Sequence, residues 1–341
     1  MTQLIERMLG RLIIGQGQSV ITKSRVISSR AIGHGVAGAV SVPRLLSTSA
    51  VRCCDKKVPT NWFNNKVVQN VTAKVSSMWL TIAPESPWAQ LLAVSVGVQW
   101  LGWAVASYYQ TEKFYDLVGS GTFLLVSFLS HGSSSFTIRQ NVARYLVTAW
   151  ALRLGSFLFY RVMKDGKDKR FDKAKQDPAT FFTFWTMQGL WVFVTLIPFI
   201  ALNTTTFNPA IGLRDYIGWS LWGLGFLTEV VADLQKSTFK SDPANDGKFI
   251  QSGLWSISRH PNYLGEISLW FGLFLTCSSV FRGPQYLTLV SPIMVTLLIT
   301  KLSGIPLLEA SGEKRWGKDA EYQSYVRDVP VLIPDVRKIF D

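Results

Sequence analysis

The sequence predicts an all-α polytopic membrane protein with six or seven transmembrane helices. Three observations carry that expectation. Mean hydropathy is +0.20, on the apolar side for a chain this long. Aromatic residues make up 13% of the 341 residues, with 13 Trp and 21 Phe, as interfacial belts and lipid-facing surfaces require. The net charge of +13 is concentrated between apolar runs long enough to cross a bilayer. A basic soluble protein would suggest nucleic acid as a partner. The alternation of charge with apolar spans instead points to positive-inside topology and excludes that reading.

Residues 1–55 stand apart. They hold seven Lys/Arg against two acids, Glu6 and Asp55, and are rich in Ser, Gly and Ala. That composition predicts a mitochondrial transit peptide, removed on import, with Arg44, Leu46 and Ser49 spaced like a matrix-processing signal. The inner membrane is the favoured destination and the endoplasmic reticulum the alternative. The sequon Asn203-Thr204-Thr205 would matter only in the secretory pathway. GHGVAG (33–38) matches a dinucleotide fingerprint formally, but it lacks a preceding strand and lies in the expected presequence. Residues 56–88 read as a polar or amphipathic lead-in to a membrane domain at 89–341.

The spans follow in order. Residues 89–109 are long enough to cross. Residues 117–129 are short and suit a re-entrant segment. Residues 142–160 span but contain Arg144 and Arg153. Residues 181–202 form the most apolar run. Residues 216–232 contain Glu229. Residues 264–280 and 286–300 complete the set. Loop 161–180 holds seven Lys/Arg, and loop 233–263 and the tail 301–341 carry more, whereas 203–213 has no charge and 281–285 one Arg. If each run from 142 onward crosses once, the basic segments share one face, the matrix or cytosolic side. The three Cys form no disulfide framework, and no Cys/His spacing predicts a metal site.

Ionisable residues inside apolar runs are site candidates. Arg153 and Arg161 lie two turns apart. Glu229 and Asp233 share a helix face, with Lys240 and Lys248 beyond. The stretch SRHPNYLGE (258–266) places Arg259, His260, Asn262, Tyr263 and Glu266 at the mouth of an apolar helix. Pro261 suits a first helical turn. The free N–H groups of that turn would face the basic side and suit a phosphate or carboxamide. Asn262 offers a donor and an acceptor, Tyr263 a proton, and Glu266 a group to orient it. From spacing alone, a cofactor site and a lipid-headgroup site both remain open.

SRHPNYLGE followed by a Trp- and Gly-containing helix resembles the signature of the steroid 5α-reductase-like membrane superfamily. That superfamily also holds sterol C14 and C7 reductases and, more distantly, isoprenylcysteine carboxyl methyltransferases. YDLVGSGTF (115–123), FWTMQGLWV (184–192), GFLTEVVADLQKSTF (225–239) and SGIPLLE (303–309) extend the resemblance over roughly residues 90–335. It implies an NADPH-dependent enzyme that reduces a C=C bond of a lipid: a sterol, polyprenyl or acyl compound. Tyr263 and Glu266 would be catalytic. Asn262, Arg259, His260, Asp233, Lys240, Lys248, Tyr322 and Tyr325 would bind cofactor. Glu229, Arg153 and Arg161 would be intramembrane substrate or structural residues. The carbonyl-gripping Glu and Tyr of the 5α-reductases have no identified counterpart here. S-adenosylmethionine-dependent methyl transfer is the alternative within the superfamily, although Asn262 after Pro261 and the separated Glu309 and Glu313 depart from that pattern. A non-catalytic lipid-binding protein is the third reading.

Overall fold

The computed structural model of the chain describes residues 86–130 and 137–334. The expected transit peptide, nearly all of the lead-in, GHGVAG and His131 lie outside the described residues. Nine α-helices occur among those described, and no strand. They are α1 Pro87–Tyr108, α2 Tyr115–Leu129, α3 Ile138–Asp165, α4 Pro178–Thr204, α5 Leu213–Ser241, α6 Pro261–Cys277, α7 Val290–Leu297, α8 Ile305–Trp316 and α9 Ala320–Asp328. A 3₁₀ stretch, Gly283–Leu289, leads into α7, and a π turn, Leu298–Leu302, follows it. Every apolar run of the sequence falls on a helical segment.

Local signals set the boundaries. Thr137 caps α3 in a capping box with Gln140, and Gly166 closes that helix at φ 79°, a left-handed conformation that favours glycine. Asp177 caps α4 by accepting from the Ala179 and Thr180 amides, with Pro178 in the first turn. Pro261 opens α6 as expected. Among the described residues, five helical stretches are long and apolar enough to cross a membrane: those beginning at Pro87, Ile138, Pro178, Pro261 and Gly283. α5 has 29 residues but carries Glu229, Asp233, Lys236 and Lys240 in its second half.

The short α2 is tied to α4 at both ends. At one end the Tyr115 hydroxyl donates to the Phe184 carbonyl (2.9 Å), near the start of α4. At the other, Asn203 at the end of α4 donates to Ser130 Oγ (2.8 Å). α2 therefore runs along α4 almost from end to end. The end of α1 is tied to the basic side, where Glu112 accepts from Lys175 Nζ (2.8 Å) and the Asp168 amide (3.1 Å).

Two packing features position the site. Phe123, Trp150, Trp191 and Trp270 form an aromatic core, with Trp150 and Trp270 edge to face at 4.7 Å between ring centroids. α5 and α6 meet across glycines. A Cβ on Gly225 would lie 2.7 Å from the Gly265 carbonyl oxygen, and one on Gly265 would lie 2.5 Å from that of Gly225. Small residues let the two backbones approach this closely. That contact places Glu229 and Asp233 against the first turns of α6.

Candidate functional site

Members of all three polar groupings of the sequence converge. Arg153, from α3, donates to Glu229 Oε1 and to Asp233 Oδ2, both on α5. Asn262, in the first turn of α6, donates through Nδ2 to Asp233 Oδ1 (3.1 Å). One turn deeper, Glu266 accepts from two indoles: Trp150 Nε1 (2.9 Å) and Trp270 Nε1 (2.8 Å). Glu229, Asp233 and Glu266 are all buried. Taking such charges out of water is costly unless each is paired and hydrogen-bonded.

Asn262 Oδ1 is buried without a partner, and Glu229 Oε2 faces no donor, its carboxyl lying in hydrogen-bond contact with that of Glu266. Most buried polar atoms are satisfied, so an orphan of this kind marks a place for a ligand or water. The Tyr263 hydroxyl also has no hydrogen-bond partner among the described residues. Its ring stacks on His260 at 5.8 Å and packs under Gly304.

The mouth of α6 is closed by the tail. Glu309, on α8, accepts from Arg259 Nη1 (2.6 Å) and lies 2.6 Å from His260 Nε2. The Arg259 amide donates to the Pro330 carbonyl (2.9 Å) and Ser258 Oγ to that of Leu332 (2.8 Å). Tyr325 donates to the Trp255 carbonyl (2.8 Å), and burial pushes its phenol well above the ordinary range. Tyr322 and Tyr325 both pack on Phe249, at 5.2 and 5.4 Å between centroids.

The expected site residues thus divide. Arg153, Glu229, Asp233, Asn262 and Glu266 form one cluster. Arg259, His260 and Tyr263 sit beside it at the mouth, linked to Glu309. Tyr322 and Tyr325 belong to an aromatic group in the tail. Lys240 and Lys248 are exposed, and Arg161 is exposed without a hydrogen bond. The expected orientation of Tyr263 by Glu266 is replaced by a different arrangement, because both Glu266 oxygens are taken by indoles.

Sequence reasoning missed Trp150 and Trp270. The signal was present, since Trp270 follows Glu266 by four residues and Trp150 precedes Arg153 by three, the spacings that share a helix face. It also missed the buried Arg139–Asp215 pair at the opposite end, where Arg139 Nε donates to Asp215 Oδ1 (2.6 Å). Cavities of about 220 and 400 Å³ lie away from the cluster, the first by Thr137 and Asn208, the second by Leu234 and Gly253.

A family model described as "Protein of unknown function (DUF1295)" matches residues 102–329. The chain belongs to this family. The match takes in α2 to α9 and so the whole cluster. Among curated proteins, this DUF1295 chain is 36% identical over 67 residues to a probable O-methyltransferase, ustE, of Ustilaginoidea virens. That stretch is 19% of this chain and 23% of that protein. It is 23% identical over 194 residues to an uncharacterized protein of Schizosaccharomyces pombe, covering 49% of this chain and 56% of that one. The chain therefore spans about a quarter and about half of these relatives' own lengths. No solved structure matches it significantly.

Proposed function

We propose that the chain is an integral membrane enzyme that modifies a lipid at the Arg153–Asn262 cluster. The reaction best supported is reduction of a C=C bond with NADPH. One observation carries this reading: the unpartnered Asn262 Oδ1, buried beside the first turn of α6. Held in a fixed direction, that oxygen offers the acceptor a nicotinamide carboxamide needs, while the Tyr263 and Leu264 amides of that turn already donate to the His260 carbonyl. Bound there, NADPH would supply a hydride to an electron-poor carbon of the lipid.

The chain's own groups have distinct tasks. Asn262 is held by Asp233, which is held by Arg153, so its carbonyl oxygen has a fixed direction. Tyr263, with a free hydroxyl, is the proton-donor candidate for the second carbon. Glu266 is locked by two indoles and acts by position, fixing the first turns of α6 against α3. Arg161, Lys240 and Lys248 lie on the basic side, where cofactor phosphates would be met by charge. Import into mitochondria through residues 1–55 belongs to the same proposal. A reporter fused to those residues and found in the cytosol would count against it.

A second reading has one specific support, the name of the Ustilaginoidea virens relative. It is methyl transfer from S-adenosylmethionine at the same cluster, where two carboxyl groups share one guanidinium and a third, Glu266, lies one turn deeper, an excess of acids that suits a cationic ligand. Parallel titration of the purified chain with NADPH and S-adenosylmethionine, read as thermal stabilisation, separates the two. Stabilisation by NADPH, lost in Asn262→Ala, is the expected result. Stabilisation by S-adenosylmethionine alone moves the reading to methyl transfer. A response to neither favours a non-catalytic lipid-binding protein.

A further inference from the structure

The start of α6 is fastened to a strap of chain that follows α9. The Arg259 amide donates to the Pro330 carbonyl and Ser258 Oγ to that of Leu332. Ser258 and Arg259 stand just before Pro261, which opens a stretch long and apolar enough to cross a membrane. The strap therefore lies where that stretch enters the bilayer. The turn that follows α7 reaches the same place, since a Cβ on Gly304 would lie 3.2 Å from the Tyr263 ring.

Apolar side chains face outward from both segments. In the strap, Val329 is buried, whereas Val331 and Ile333 are 39% and 77% exposed. The residues whose carbonyls hold the start of α6, Pro330 and Leu332, alternate with the exposed ones. Leu302 and Leu307, on either side of Gly304, are 69% and 60% exposed. Grouped apolar exposure of this kind marks a surface that meets a protein or a membrane. Its position at the entry of a span favours the membrane. Charge supplies no other partner, because residues 301–334 hold five Lys/Arg and five acids. The backbone sets the depth. Residues 329–334 are not helical, and lipid-exposed irregular backbone is excluded from the hydrocarbon core. The headgroup boundary, where water still reaches the backbone, accommodates it. Pro330 and Pro334 also carry no N–H to satisfy.

We infer that residues 329–334 are a membrane-surface anchor: Val331 and Ile333 dip into the headgroup boundary while the carbonyls of Pro330 and Leu332 hold the start of α6. The bilayer thus keeps the tail in place across the mouth. The binding is driven by apolar burial, so it is indifferent to lipid charge and to salt. This goes beyond the proposed reaction and does not depend on it.

The test uses the full chain in lipid nanodiscs, with Cys53 and Cys54 changed to Ser and Cys277 left in place because it is fully buried. Ile333→Cys, or Lys318→Cys as an exposed site outside the strap, carries an environment-sensitive fluorophore. Ile333 is exposed, so the label leaves the fold intact. The expected result at 333 is quenching by lipids spin-labelled near the headgroup and protection from iodide, equal in zwitterionic and anionic nanodiscs. The label at 318 should show the reverse. Iodide quenching at 333 as strong as at 318 overturns the inference. So does protection from iodide without lipid quenching, as a protein partner or a second copy would give. Stronger quenching from a deep acyl spin label contradicts the headgroup depth, and dependence on anionic lipid contradicts the apolar basis. A second measurement needs no label. Ile333→Asp should speed limited proteolysis of the tail in nanodiscs about tenfold, as loss of a buried apolar side chain shifts the opening equilibrium. Equal rates for wild type and Ile333→Asp overturn the anchoring role.

Discussion

Arg153→Met is the most informative single change. It removes the guanidinium that joins Glu229 and Asp233 and keeps an unbranched side chain of similar reach. The side chains of the two acids are only 4% and 11% exposed, and that of Arg153 16%, so water cannot readily replace the lost partner. Removing one member of a buried pair costs about 3–5 kcal/mol, mainly because the remaining charge is stranded. At about 2–4 °C per kcal/mol for a chain of this size, the midpoint should fall by about 6–20 °C. Tryptophan fluorescence during thermal unfolding in detergent reads this, as the chain has 13 Trp. A second change sharpens the test. The acids left without their partner are Glu229 and Asp233. Arg153→Met with Asp233→Asn should therefore recover part of the loss, and adding Glu229→Gln should recover more of it. An Arg153→Met variant as stable as the wild type would refute the reasoning. So would a double variant whose losses simply add.

Other expectations follow from the same geometry. Gly265→Ala should destabilise by about 1–3 kcal/mol, because its Cβ meets backbone atoms of α5 that cannot move independently. Gly223→Ala, with nothing within 4 Å of the added carbon, should be neutral or stabilising by up to about 1 kcal/mol; thermal unfolding compares the two. Glu309→Ala breaks the contacts to Arg259 and His260 and should release α8 and α9 from the mouth of α6, seen as faster limited proteolysis of the tail. Asp177, whose carboxyl is held below its ordinary range by the Thr180 hydroxyl and the Ala179 and Thr180 amides, gives a pH signature. Its contribution is full above the unfolded-state carboxyl pKa and is lost as pH falls through the lower folded value. The midpoint difference between wild type and Asp177→Ala should shrink over that acidic window and stay constant above it.

The fold was largely legible because membrane helices are written in continuous apolar runs. Each run fell on a helical segment, and Pro261 marked the start of α6. The short 117–129 segment falls on α2, but its bonds to both ends of α4 were not legible, because they join residues far apart in the sequence. The site was legible residue by residue but not as a constellation. Arg153, Glu229 and Asn262 each stood out as polar groups in apolar surroundings, yet nothing local joins α3, α5 and α6. That joining comes from the glycine contact between α5 and α6, where Gly225 and Gly265 face each other. Trp150 and Trp270 were hidden among 13 Trp, since an indole that serves a buried carboxylate looks in sequence like any lipid-facing ring. Arg139 and Asp215 were hidden for a related reason: each lies just outside an apolar run and reads as an ordinary helix-end charge.

The central claim is that the cluster brings NADPH to a membrane lipid. The most direct measurement uses two labels in parallel, NADPH deuterated at the nicotinamide C4 and S-adenosylmethionine with a deuterated methyl group. Each is given to membranes containing wild type or Asn262→Ala, and extracted lipids are read by mass spectrometry. The account predicts carbon-bound deuterium from NADPH in a lipid that gains two hydrogens, in the wild type and not in the variant. Deuterated methyl groups in lipid from S-adenosylmethionine, with none transferred from NADPH, would contradict it.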